Sequence, residues 1–284
     1  MNKGFKSVLV VLGYLMIYFS ADLFVGLFLG LIMMTLYPVY MSGEITYDII
    51  LKNVNEFFYN NINIFIILSA LMALLIYWLI FKIRKINFIE YINFSKLSRK
   101  DKVVCSLLGM AISIFLSSLL MITSIHEFFP NHSKTIDSVT KQQPFLLIIF
   151  SIGIIVPVFE EILFRGLIFN NLKHDLNIYF AIFAQALIFG FVHGNTLQMV
   201  YTFFGGIILA LSYIWIRSIW APVLIHIFWN STSVILGFIN VGGQISYIVL
   251  FTISTLTIIL TTRNLWTNRK KGEENFIESD VEPA

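Results

Sequence analysis

FLLIIFSIGIIVPVFEEILFRGLIF, residues Phe145 to Phe169, decides the fold. The run is long enough to cross roughly 30 Å of hydrocarbon as a helix, yet it carries Glu160, Glu161 and Arg165 close to its centre. On insertion scales each such charge costs about 2.5 to 3.5 kcal/mol at mid-membrane. Something must offset that cost, and polar groups at this depth do so by facing one another or a water-filled cavity rather than lipid. The stretch therefore predicts one member of a membrane helical bundle with a polar interior.

The remaining sequence supplies the other members. Of 284 residues, 58% are hydrophobic and 12% charged, against roughly 25% charged in soluble domains. Too little polar sequence is present to wrap a core in water, whereas lipid accepts apolar side chains directly. Eight apolar runs are candidate spans: Val8 to Tyr37, Ile62 to Phe81, Val103 to Ile125, Phe145 to Phe169, Ile178 to Val192, Leu197 to Ile216, Trp220 to Ile239 and Ile245 to Thr262. The fold class expected is all-α, a polytopic bundle of about eight transmembrane helices. The first run is too long for the apolar region of a cleaved signal and reads as a retained helix.

With eight spans both termini share a side. Lys3, Lys6, the basic residues from Lys82 to Lys102, Lys173, Arg217 and those from Arg263 to Lys271 then fall together, leaving Lys52, Lys134 and Lys141 opposite. By the positive-inside rule the termini are cytoplasmic. The Ile-, Asn- and Lys-rich composition points to a bacterial plasma membrane. The loops Met41 to Asn61 and His126 to Gln143 are expected outside, with short interfacial helices, and Gly272 to Ala284 reads as an unstructured tail. The expected division is an N-terminal membrane region (1–143), a core (144–262) and a tail (263–284).

The formal charge of +3 is too small to suggest nucleic acid, so the bilayer and a peptide or membrane-protein substrate are the partners expected. The single cysteine, Cys105, excludes an intramolecular disulfide.

Six polar positions stand out at membrane depth. Glu161 and Arg165 are four apart, so they share a helix face and can pair. Glu160 is turned about 100° away and is left outside that pair. Pro157, one turn earlier, removes an N–H and can free a carbonyl toward a cavity. His193 follows a run whose fifteen residues reach only about 22 Å as a helix, and should still lie within the membrane. His226 and Asn230 are four apart on the seventh run and project from one face. A carboxylate, two imidazoles and an amide converging from three helices are a kit for hydrolysis. Glu160 takes a proton from water, His193 orients that water or donates to the leaving amine, and His226 with Asn230 stabilises the oxyanion.

Glu160-Glu161-x-x-x-Arg165, Phe189-x-x-x-His193 and His226-x-x-x-Asn230, in this order on successive membrane helices, resemble the three motifs of the CPBP intramembrane proteases, which include the type II CAAX prenyl endopeptidases and bacteriocin-processing relatives. The resemblance covers about Phe145 to Ile239. It implies that Glu160 and His193 activate water, that His226 and Asn230 form the oxyanion site, and that Glu161, Arg165 and Phe189 support them. No cofactor is expected. A zinc set of Glu160, His193 and His226 is the alternative, disfavoured because no H-E-x-x-H string is present. The expected reaction is hydrolysis of a peptide segment entering from the cytoplasmic side. A non-catalytic immunity or scaffold protein on the same fold, and a proton-coupled carrier, are the competing classes.

Overall fold

The computed structural model describes residues 3–40, 47–141, 143–239 and 241–269. Among the described residues there are ten helices: α1 (Lys3–Tyr40), α2 (Tyr47–Ile83), the single turn α3 (Phe88–Tyr91), α4 (Arg99–Thr123), α5 (Pro130–Thr140), α6 (Phe145–Asp175), α7 (Ile178–Phe191), α8 (Thr196–Ile216), α9 (Trp220–Phe238) and α10 (Gln244–Thr267). Among the described residues there is no strand.

Seven of these helices are long and apolar enough to cross a membrane, and the chain is an integral, multi-pass membrane protein. The expected span outside these seven is the fifth, α7, whose 14 residues rise only about 21 Å. It stops short of the full hydrocarbon thickness, and the turn after it brings His193 to the cavity described below. The expected loop Met41 to Asn61 needs correction, because α2 is already helical from Tyr47 and runs for 37 residues. Asp48 lies in its first turn, where a carboxylate favours the helix dipole. The second expected loop does hold short helices, a 3-10 turn at Ile125–Phe128 and α5. The final helix continues to Thr267 rather than Thr262, so the first residues of the expected tail (263–284) are helical, and Gly272 to Ala284 lie outside the described residues.

The helix α6 is not uniform. It passes from α to π geometry at Ile149–Ile155, returns to α at Val156–Glu161, and is π again at Ile162–Phe169. Pro157 explains the first change. In the π register the N–H of Val156 bonds the carbonyl of Ser151, so the next donor in line, for Ile152, would be Pro157, which has none. That carbonyl is taken by Asn230 Nδ2 of α9 at 3.1 Å, and Ser231 Oγ donates to the carbonyl of Gly153 at 3.2 Å. Gly153 permits this approach: a Cβ there would lie 2.7 Å from Ser231 Oγ. Gly109 of α4 does the same on the opposite flank of α9, where a Cβ would collide with the carbonyl of Ile225. Both glycines draw α9 tightly between α4 and α6.

Candidate active site

The sequence-selected residues meet in one place. Glu160, Phe189, His193, His226 and Asn230 all line a cavity of about 630 Å³ bounded by α5, α6, α8 and α9. Glu161 and Arg165 lie directly behind it, both fully buried.

Glu161 anchors the site. Its Oε1 accepts from Arg165 Nη1 at 2.7 Å and from His226 Nδ1 at 2.7 Å. Arg165 also donates from Nη2 to the carbonyl of Gly206 at 3.3 Å, and its guanidinium stacks 4.5 Å from the ring centre of Phe189. Gln185 Nε2 reaches the same carbonyl at 3.0 Å. Phe189 thus has a physical role: its ring also packs at 4.9 Å against both Phe164 and His193, and at 5.9 Å against His226. It fixes the two imidazoles and the guanidinium relative to one another.

Glu160 differs sharply from its neighbour. Its side chain keeps 15% exposure, toward the cavity, and Oε2 lies 3.6 Å from His226 Nε2. With Nδ1 committed to the Glu161 carboxylate, His226 presents Nε2 to Glu160. A lone pair on that nitrogen would face carboxylate lone pairs, so the contact is favourable only when one proton resides on Nε2 or on Glu160. With His226 protonated, two carboxylates, one guanidinium and one imidazolium sum to zero charge.

His193 is oriented by the end of α7. Its Nδ1 is 2.7 Å from the carbonyl of Phe189, and a carbonyl only accepts, so Nδ1 carries the hydrogen. In the neutral ring Nε2 is then the acceptor. Asn230 spends one amide hydrogen on Ile152, which leaves its second hydrogen and Oδ1 unspent.

These groups can bind a water, accept its proton and hydrogen-bond a developing oxyanion. Among the described residues, no three His, Cys, Asp or Glu side chains are grouped so as to hold a metal ion.

Residues 142–232 match the family described as type II CAAX prenyl endopeptidase, Rce1-like. This part of the chain is therefore similar to the membrane core of CAAX-type peptidases. The chain is 30% identical over 154 residues to the membrane-embedded CAAX protease MroQ of Staphylococcus aureus (strain USA300), an alignment covering 50% of this chain and 61% of that one. It is 28% identical over 146 residues to YdiL, a candidate membrane peptidase of Bacillus subtilis (strain 168), covering 49% and 59%. The chain thus spans about six tenths of the length of these curated relatives. No solved structure is significantly similar to it.

The site also contains residues not singled out from sequence. Tyr201 and Trp229 line this cavity and a second chamber of about 390 Å³ between α4, α5, α9 and α10. Their rings lie 6.4 Å apart, forming part of the wall common to both spaces. Trp229 follows His226 by three residues, so helical spacing places it on the same face. Gly205 makes room for it, since a Cβ there would overlap the indole. Tyr201 offered no such signal, because its role depends on how α8 meets α9.

Proposed function

We propose that the chain is an intramembrane endopeptidase that hydrolyses a peptide bond with water activated by Glu160 and His193. What supports this reading most directly is the contrast between adjacent carboxylates: Glu161 is fully buried and engaged twice at one oxygen, while Glu160 reaches the cavity with only a 3.6 Å contact to His226. Structural pairing accounts for the first and leaves the second available for proton transfer.

Water bound between Glu160 and Nε2 of His193 gives a proton to Glu160 as its oxygen adds to the scissile carbonyl carbon. The carbonyl oxygen becomes an oxyanion. The Nε2 hydrogen of protonated His226 and the second amide hydrogen of Asn230 would stabilise it. Collapse breaks the C–N bond, and the proton taken from water passes to the leaving amine, directly or through His193. One water is consumed, and a carboxylic acid and an amine are released. This route uses no cofactor.

The test compares purified wild type with Glu160→Gln in detergent and liposomes, against fluorogenic and prenylated peptides, with and without a chelator. Cleavage by wild type alone that survives chelation is the expected result. Equal cleavage by Glu160→Gln would overturn the role of Glu160. Chelator-sensitive cleavage would restore the zinc set, and cleavage by neither protein would favour a scaffold or immunity protein on this fold.

A further inference from the structure

The two ends of the bundle are identified by bonds between their connections. At one end Ser95 and Ser218 tie the segment before α4 to the α8–α9 turn, Ile219 N donates to the carbonyl of Asn93 at 3.0 Å, and Ser7 Oγ donates to Asp175 at 2.6 Å. At the other end Asn63 Nδ2 donates to the carbonyl of Val139 at 2.9 Å, Gln143 Nε2 donates to that of Tyr59 at 3.0 Å, and Phe145 packs 5.1 Å from Phe238. The first end carries Lys6, the basic residues from Lys82 to Lys102, Lys173, Arg217, Arg263 and Arg269. The α5 end carries Lys52, Lys134 and Lys141.

The cavity is just as asymmetric. From Glu160 and His226 it extends to Asp137, Lys141, Gln198 and Gly237, all toward the α5 end. The rim side chain of Lys141 is 63% exposed there. Toward the basic end the path is filled: Leu163, Phe164, Leu167, Phe169 and Tyr213 are all at most 1% exposed. No residue of the basic end lines this cavity or the second chamber.

Basic residues collect on the cytoplasmic side of membrane proteins. We propose that the cavity opens to the non-cytoplasmic side, so that the substrate is a peptide segment exposed on the outer face of the membrane. This reverses the cytoplasmic entry expected from the sequence. The substrate class rests on the peptidase reading above, whereas the direction of opening does not.

The test uses the full chain in protoplasts, on a Cys105→Ser background, with a membrane-impermeant maleimide. Ser233→Cys reports the cavity wall, Lys141→Cys its rim, and Lys96→Cys the basic end. Labelling of Ser233→Cys and Lys141→Cys in intact protoplasts, with Lys96→Cys reacting only after permeabilisation, is the expected pattern. Labelling of Lys96→Cys from outside, or of Lys141→Cys only after permeabilisation, would overturn the orientation. A silent Ser233→Cys beside an outside-reactive Lys141→Cys would overturn the water-open cavity. Labelling needs no turnover, so absence of cleavage by wild type would count against the peptidase reading and leave the direction of opening untouched.

Discussion

The imidazole of His226 on α9 and the carboxylate of Glu161 on α6 are joined by a 2.7 Å hydrogen bond from Nδ1 to Oε1, the oxygen that also accepts from Arg165. One carboxylate oxygen therefore accepts from a guanidinium and an imidazole and sets which ring nitrogen of His226 faces Glu160. On the mechanism proposed above, Glu161 positions His226 and takes no proton from water.

Replacing Glu161 separates that support from catalysis. Glu161→Gln leaves Arg165 buried without its counter-charge, a loss of about 3 to 5 kcal/mol for a broken buried pair. It also releases His226, and misplacement of a reacting group costs on the order of 10²-fold in rate. A lowered melting temperature in detergent together with reduced turnover is expected. In contrast, Glu160→Gln should lose turnover with its melting temperature nearly unchanged.

Pro157 and Asn230 are coupled through the carbonyl of Ile152. Asn230→Ala strands that carbonyl, at about 1 to 3 kcal/mol for an unsatisfied buried group. Pro157→Ala restores a backbone donor and should be neutral or stabilising, while freeing Asn230 from its position and lowering turnover. In the double variant the restored N–H serves the carbonyl, so the stability loss of Asn230→Ala should largely vanish. A thermal-unfolding double-mutant cycle measures this coupling, and strict additivity would refute it.

Much of this site could be read from spacing alone. Glu161 with Arg165, and His226 with Asn230, follow from four-residue separations on a helix, and Pro157 announced its missing donor. The bond from His226 to Glu161 could not be read, because it joins residues 65 apart and depends on how closely Gly109 and Gly153 let α9 approach. The start of α2 was hidden by polar residues such as Asn53, Asn55, Asn60 and Asn61, which suit a loop but are tolerated on a helix. The direction of the cavity required knowing that α7 stops short and that α5 folds over the site, and both are tertiary facts.

Acidification should loosen α5. His132 sits 3.4 Å from Asn195 Oδ1, and partial burial holds its pKa below the usual histidine value, aided by His126 and opposed by the Asn195 hydrogen bond. The folded state thus prefers the neutral ring, and the docked helix is favoured above the unfolded value of about 6.5. As pH falls below that value the released state binds the extra proton and docking weakens. Hydrogen-exchange protection in Pro130–Thr140, corrected for the intrinsic pH dependence of amide exchange, should fall as pH drops below about 6.5, and His132→Gln should abolish that dependence.

Trp229 tests whether the wall between the two chambers governs selection. Gly205→Ala places a methyl where the indole lies, forcing Trp229 into one chamber or the other while leaving Glu160, Glu161 and His226 on their own contacts. Overpacking of this kind costs typically about 1 to 3 kcal/mol, so the protein should still fold. If the wall shapes substrate binding, KM should change severalfold between peptides with small and large residues beside the scissile bond, while kcat for the best peptide changes less. A uniform fall in kcat with KM constant would instead mean that the indole acts through His226, whose ring centre lies 6.1 Å from its own. Trp229→Phe distinguishes the two further: it retains an aromatic wall and should recover the selectivity that Gly205→Ala disturbs.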